Sequence, residues 1–160
     1  MDAPVVIRPI RPSDREPLVE AHARLSPETV RRRYLAPKPQ LSRRELTYLT
    51  EVDGVDHVAY VAVAAGRIVG VARWVRLEDD PETAEAAVVV ADGWQGQGLG
   101  RRLGIALADA ARERGVRRFS ALLLSDNAAA HALFASISRR LDSRRAHGLE
   151  ELVAELGAAA

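Results

Sequence analysis

Eight residues near the middle of the 160-residue chain read Gln95-Gly96-Gln97-Gly98-Leu99-Gly100-Arg101-Arg102. The apolar run 86–91 precedes them, and apolar residues at helical spacing follow as far as residue 110. This order predicts a strand, a glycine-rich turn and a helix. Amides in the first turn of a helix lack partners inside it, and the helix dipole favours negative charge there. Glycines leave those amides accessible, so the sequence predicts a binding site for the pyrophosphate of a cofactor.

Two better-known phosphate motifs do not fit this turn. A dinucleotide-binding fingerprint, Gly-x-Gly-x-x-Gly, fails because neither pair of glycines is followed by a third glycine at the required spacing. A nucleotide-hydrolase loop needs Gly-Lys followed by Ser or Thr, and the only lysine in the chain is Lys38. The pattern that remains is Gln-x-x-Gly-x-Gly, formed by Gln95, Gly98 and Gly100.

The composition excludes several classes of protein. The length suits one domain, which we expect to span residues 1–160, with 156–160 as a flexible tail. The chain has no cysteine and its histidines lack metal-binding spacing, so we expect neither disulfides nor a metal site. A formal net charge of +1 and only 4% aromatic residues argue against nucleic acid as a partner. No apolar run approaches the roughly 18 residues of a membrane span, and we recognise no signal peptide, so we expect a cytoplasmic protein without membrane partners.

Hydrophobic periodicity, helix caps and turn signals predict the order of the elements. The predicted elements are a strand at 5–10, helices at 14–24, 27–34 and 42–50, strands at 57–64, 67–75 and 84–91, a helix at 99–114, a strand at 118–124 and a helix at 127–138. Two interpretations of the tail stay open. Residues 140–145 and 150–156 fit a hairpin across His147-Gly148, but the apolar residues of 149–156 also fit the 3.6-residue period of a helix.

The strand, turn and helix around Gln-x-x-Gly-x-Gly resemble the acetyl-CoA signature of the GCN5-related N-acetyltransferase (GNAT) superfamily. A second segment, 127–134, reads Asn-Ala-Ala-Ala-His-Ala-Leu-Phe and resembles that family's Asn-x-x-Ala-x-x-Leu-Tyr. The resemblance covers nearly the whole chain and implies an α/β (α+β) fold, with a mixed central sheet of about six to seven strands flanked by about four to five helices. In that fold two central strands, here 84–91 and 118–124, diverge, and the pantetheine arm of the cofactor fills the gap.

The resemblance also implies a cofactor site for acetyl-CoA. Backbone groups of three consecutive valines would pair with the pantetheine amides, and amides of the turn would hold the pyrophosphate. The valines could equally be core residues, since the ligand would use only their main chain. Asn127 would contact the cofactor arm or cap its helix. The predicted cofactor-binding residues are Val88, Val89, Val90, Gln95, Gly96, Gln97, Gly98, Leu99, Gly100, Arg101 and Asn127.

Glu85 is the candidate catalytic residue. An amine must be neutral to attack a thioester, and a lysine-like amine with a pKa near 10.4 is neutral in roughly one molecule per thousand at pH 7. A carboxylate that removes the proton, directly or through water, typically contributes a factor of about 10²–10⁴. A glutamate in an apolar strand is unusual, and in the subgroup that resembles bacterial protein-lysine acetyltransferases a Glu at this offset is the general base. The alternative is that Glu85 lies on an exposed strand end.

Segments 7–14 and 25–34 resemble the opening of the acetyltransferase domain in those protein-modifying enzymes. The sequence therefore predicts an acetyl-CoA-dependent N-acetyltransferase, a monomer or homodimer, that acetylates a protein lysine by direct attack. A small-molecule amine is the alternative acceptor. A non-catalytic acyl-CoA-binding sensor is a third hypothesis. Phe134 favours it, because the family often has a tyrosine there to protonate the leaving thiolate, whereas Glu85 argues against it.

Overall fold

A computed structural model describes residues 3–157 of the chain. This part contains seven strands and five α-helices, close to the predicted boundaries. The strands are β1 (Val5–Pro9), β2 (His57–Ala64), β3 (Arg67–Arg76), β4 (Thr83–Val90), β5 (Arg118–Leu124), β6 (Arg140–Ala146) and β7 (Leu149–Glu155). The helices are α1 (Arg15–Ala23), α2 (Pro27–Tyr34), α3 (Arg43–Thr50), α4 (Leu99–Glu113) and α5 (Ala128–Ile137).

The strands form one mixed sheet in the order β1-β2-β3-β4-β5-β7-β6. Neighbouring strands are antiparallel except for β4 and β5, which are parallel. These two pair over only three rungs, from Thr83 opposite Arg118 to Glu85 opposite Ser120. Beyond Glu85 the two strands separate, and the facing edge of β4 has no strand partner. The mixed sheet with splayed central strands is therefore confirmed.

Helices cover the two faces of the sheet unequally. On one face α4 and α5 pack on an apolar core around Trp74, whose indole N–H donates to the Leu107 carbonyl at 3.2 Å. On the other face α1 and α3 cover β2 and β3 around Leu18 and Val61. The β5–β7 end of this second face is open, where Leu122 and Val153 are 45% and 38% exposed. Large molecules therefore have access to the sheet beside the splay.

The tail is a hairpin rather than a helix. His147 and Gly148 both have positive φ, at 54° and 77°, as a two-residue hairpin turn with the matching twist requires. β7 pairs with all seven residues of β5. This long-range pairing makes residues 149–155 a strand, although their apolar residues also fit a helical period. Residues 156 and 157 of the predicted flexible tail are packed: Leu156 is buried, and the Gly157 carbonyl accepts a hydrogen bond from Arg112. The rest of that tail lies outside the described residues.

Residues 3–157 contain neither a helix that could cross a membrane nor a cluster of metal-ligating side chains. No helix in this range has the length and apolar character that a bilayer crossing requires. No group of three or more His, Asp or Glu side chains in the same range is arranged to hold a metal ion.

Candidate active site

The divergence of β4 and β5 opens a cavity of about 420 Å³ along the edge of β4. Its walls come from β4, β5, the glycine-rich turn, α2 and α5. Among the described residues that line it are three arginines, Arg32, Arg33 and Arg101, and no aspartate or glutamate. The cavity therefore has a positive lining, which suits an anionic ligand.

The glycine-rich turn presents six consecutive backbone amides, from Gly96 to Arg101, without a hydrogen-bond acceptor in the described part of the chain. The first hydrogen bond of α4 runs from the Arg102 amide to the Gly98 carbonyl at 3.1 Å. Gly96 and Gly98 have φ values of 75° and 83°, which residues with a Cβ rarely adopt. Six free amides at the N-terminus of a 15-residue helix have the geometry of the predicted anion site.

A polar network fastens this turn to α2. The Asp92 carboxylate accepts hydrogen bonds from the Ser26 amide at 3.0 Å and from the hydroxyls of Ser26 and Thr29 at 2.7 and 3.0 Å. Burial raises the pKa of Asp92, but these hydrogen bonds outweigh burial and hold the pKa below its ordinary value. The backbone N–H of Gln95 donates to the Asp92 carbonyl, and the side-chain amide of Gln95 donates to the Val90 carbonyl at 3.0 Å. Gln95 therefore positions the turn, and the free amides begin one residue later.

Only alternate residues of β4 direct their backbone N–H and C=O groups toward the edge that faces the cavity. The Ala91 amide donates to the Val69 carbonyl of β3, and because backbone direction alternates along a strand, Val89 also directs its main chain toward β3. Val88 and Val90 direct theirs toward the cavity. For the predicted main-chain pairing with a pantetheine arm, these directions leave both backbone groups of Val88 and the amide of Val90, because the Val90 carbonyl already accepts from Gln95. All three valines line the cavity.

The start of α5 forms the opposite wall. Asn127 is the N-cap, and its side-chain oxygen accepts from the Ala130 amide at 3.2 Å. Asn127 also lines the cavity, so its amide nitrogen can serve a ligand while its oxygen caps the helix. Phe134 is 3% exposed and lines the same cavity, which has no tyrosine among its described residues. The position at which this chain has phenylalanine in place of the family's tyrosine is therefore in the cavity wall.

Glu85 lies on the last paired rung of β4, opposite Ser120 of β5, and is exposed. Its side chain is on the same face of β4 as Ala87, about 7 Å along the strand, since alternate strand residues are that far apart. Ala87 lines the cavity, whereas Glu85 does not. The carboxylate is thus at the mouth of the splay and in contact with solvent, which is a position for proton transfer through a water molecule.

One charged group beside the cavity was not predicted from the sequence. Arg73 on β3 is only 6% exposed, and it lines a second, smaller cavity of about 40 Å³ together with Arg33. Its Nη1 donates to the Leu49 carbonyl at 3.1 Å and to Nε2 of His57 at 2.8 Å. An arginine in the middle of an apolar strand is as unusual as the glutamate of β4, and that anomaly was the available signal.

His57 should make the fold sensitive to acid. Burial, followed by the charge of Arg73, lowers the pKa of His57 from 6.5 to about 4. The unfolded chain therefore takes up this proton first, so stability is present above pH 6.5 and falls as the pH drops toward 4. From pH 7 to pH 5 we expect a loss of about 1–2 kcal/mol in the free energy of unfolding, measured with denaturant. In His57→Gln, which keeps an acceptor for Arg73, this loss should shrink; an unchanged pH dependence contradicts the assignment.

Comparison with known proteins identifies the family. Residues 23–137 match the family model described as Acetyltransferase (GNAT) family. The chain is 38% identical over 125 residues to Acetyltransferase Pat of Mycolicibacterium smegmatis, an alignment that covers 77% of this chain but only 37% of that protein. The chain thus spans little more than a third of that relative's length.

Solved structures agree with this assignment. The GNAT domain of S. lividans PAT has a TM-score of 0.86 and 32% identity, with 94% of this chain and 89% of that one covered. The yncA protein of Salmonella typhimurium, solved with its cofactor acetyl-CoA, has a TM-score of 0.74 over 95% and 92% of the two chains, but at 22% identity it shows likeness of fold alone. The chain belongs to the GNAT acetyltransferase family, an enzyme family whose acyl donor is acetyl-CoA. The predicted family, its Pat-like character and the fold are confirmed.

Proposed function

We propose that this chain transfers the acetyl group of acetyl-CoA to a primary amine in the cavity between β4 and β5. One observation carries the proposal: the cavity edge of β4, with the free main chain of Val88 and the free amide of Val90, leads to the six free amides of Gly96–Arg101. The first provides hydrogen bonds for an extended chain with two amides, and the second provides donors for a diphosphate. Coenzyme A contains both groups in this order, so the residues present fit this co-substrate.

The chain's own residues then have distinct tasks in the transfer. Glu85 accepts a proton from the ammonium group of the acceptor through one water molecule, which leaves a neutral amine. The amine nitrogen forms a bond to the thioester carbonyl carbon, and backbone N–H groups on the β4 edge stabilise the oxyanion. The carbon–sulfur bond breaks as the amide forms, and the nitrogen gives up its second proton to water. Because Phe134 has no proton to give, the thiolate takes a proton back from water, so that this second proton ends on the thiol.

A protein lysine is the acceptor that we propose. The open face of the sheet around Leu122 and Val153 is accessible to a large molecule, and exposed Glu85 lies at the edge of this face. The resemblance of the N-terminal segments to bacterial protein-lysine acetyltransferases supports the same acceptor. The second candidate is a small-molecule amine, which the small size of the cavity beside Arg73 favours.

An acceptor screen tests the proposal. The protein is incubated with acetyl-CoA and either single-lysine peptides or a panel of small amines, and thiol release and acetylated products are measured by mass spectrometry. We expect product with peptides and faster thiol release than without acceptor. Product only with small amines would select the second candidate. Acetyl-CoA binding in calorimetry without product from any acceptor would contradict catalysis and support a sensor.

A further inference from the structure

The smaller cavity lies between the sheet and the helices α1 and α2, on the opposite side of β4 from α4. It shares Arg33, Ala87 and Val89 with the larger cavity, so the two spaces adjoin at the middle of β4. Arg73 stands directly across from Ala87 in the β3–β4 ladder and therefore flanks the same point. A water molecule needs about 10–15 Å³ by the measure that gives this cavity about 40 Å³, so it accommodates a group of roughly three heavy atoms.

The charge in this cavity is not balanced within the described structure. A buried guanidinium is normally paired with a carboxylate, because an isolated buried charge is strongly unfavourable. The described residues that line the cavity include Arg33 and Arg73 but no aspartate or glutamate. Burial, and then the positive charge of Arg33, lower the pKa of Arg73 to about 10, which still leaves it charged at neutral pH. Two cations therefore face one small space without an anion.

The nitrogens of Arg73 that lack a hydrogen-bond partner indicate which chemical group this cavity binds. Its Nη1 donates to Leu49 and His57, whereas Nε and Nη2 have no hydrogen-bond partner among residues 3–157, and Arg73 is one of the residues that line the cavity. Those two nitrogens form one side of the guanidinium, the edge that binds a carboxylate with two parallel hydrogen bonds. Arg33, stacked 4.6 Å from the Tyr34 ring centroid, adds a second positive charge.

We propose that Arg73 and Arg33 bind a carboxylate of the acceptor, next to the amine that receives the acetyl group. This inference rests on the proposed function, and it adds a specificity determinant for the acceptor. Two kinds of acceptor contain such a carboxylate. One is a free amino acid with its α-carboxylate, and the other is a protein with an acidic side chain adjacent to the target lysine. Arg73 also contacts the C-terminal turn of α3 through the Leu49 carbonyl, so it has a structural role as well. Arg33 is the better position for a test.

Two sets of matched acceptors measure the effect of a carboxylate on kcat/KM. One arm compares single-lysine peptides in which the neighbouring residue is Glu or Gln, and the other compares amino acids with their carboxamides. For the parent protein we expect kcat/KM to be about 10–100-fold higher for the carboxylate member in one arm, as charged hydrogen bonds imply, and that arm identifies the source. Arg33→Met should reduce the ratio to less than about threefold through KM. Arg73→Met should do the same if it folds.

Arg31→Met is the matched control, because Arg31 is exposed on the same helix and lines neither cavity. It removes the same charge and should keep the parent ratio. Equal rates for both members of every pair in the parent would overturn the inference while leaving the acetyltransferase function intact. A preference for succinyl-CoA over acetyl-CoA that Arg33→Met abolishes would move the carboxylate to the donor and also overturn it. Absence of product from every acceptor is a different result, since it contradicts the proposed function.

A second measurement is independent of turnover. Sodium acetate, compared with acetamide and with sodium chloride at equal ionic strength, should raise the Tm of the parent protein and of Arg31→Met. The rise should be lost in Arg33→Met, because the site then lacks one of its two cations. Equal shifts in all three proteins, or none in the parent, would overturn the carboxylate site.

Discussion

Replacing Gly98 by aspartate is expected to raise the Kd for acetyl-CoA by at least about 100-fold. The Gly98 amide lies among the six free amides, and a carboxylate there would repel the diphosphate. Two unit charges 4 Å apart interact by about 4 kcal/mol at an effective dielectric constant of 20, which corresponds to roughly a thousandfold before screening by salt. Isothermal titration calorimetry with acetyl-CoA measures the change directly.

Gly98→Asn separates charge from backbone strain. A Cβ at Gly98 meets no atom within 4 Å, so the first atom of either side chain has space. The φ of 83° disfavours both substitutions, but asparagine tolerates the left-handed region better than most residues and has nearly the shape of aspartate. The asparagine variant should therefore lose much less affinity, and its Tm reports the strain alone. Unchanged affinity in Gly98→Asp would contradict the placement of the diphosphate at this turn.

The strand–turn–helix unit was predictable because its signals are local. An apolar run, three glycines and apolar residues at helical spacing lie within about 25 consecutive residues. The tail was not predictable, because the apolar residues of Leu149–Glu155 fit both the strand and the helix period. Its strand conformation depends on the ladder with β5, a partner about 30 residues earlier in the chain. Such long-range pairing leaves no trace in local periodicity.

The site was predictable in its residues but not in their directions. The three valines of β4 look equivalent in the sequence, and only the register against β3 shows that Val89 faces away from the free edge. The hydrogen bonds from Ser26 and Thr29 to Asp92 join residues more than 60 positions apart. Arg73 gave a local signal, because a charge in an apolar strand needs a reason, yet the small cavity beside it arises only when helices and sheet pack together.

Glu85→Gln is expected to lower kcat at pH 7 by a factor of about 10²–10⁴, the usual contribution of a general base, while the Kd for acetyl-CoA stays within about twofold. The affinity should persist because Glu85 lies outside the cavity lining, at the mouth of the splay. Steady-state kinetics with a good acceptor and calorimetry with acetyl-CoA measure the two quantities. Glu20→Gln is the matched control, because Glu20 is an exposed carboxylate on α1 that lines neither cavity and whose loss changes the net charge equally.

The pH dependence distinguishes a base from a residue that merely shapes the site. A lysine-like amine loses its proton to solvent as the pH approaches about 10.4, so the need for a protein base disappears there. The ratio of parent to Glu85→Gln activity should therefore shrink by at least about tenfold between pH 7 and pH 10. A ratio that stays constant over this range would show that Glu85 acts through geometry or charge, and equal activity at pH 7 would remove it from the mechanism. Because Glu85 is exposed and does not line the cavity, we expect its route to the amine to be through water, and a base of this kind is sensitive to side-chain length. Glu85→Asp should then retain part of the activity that Glu85→Gln loses.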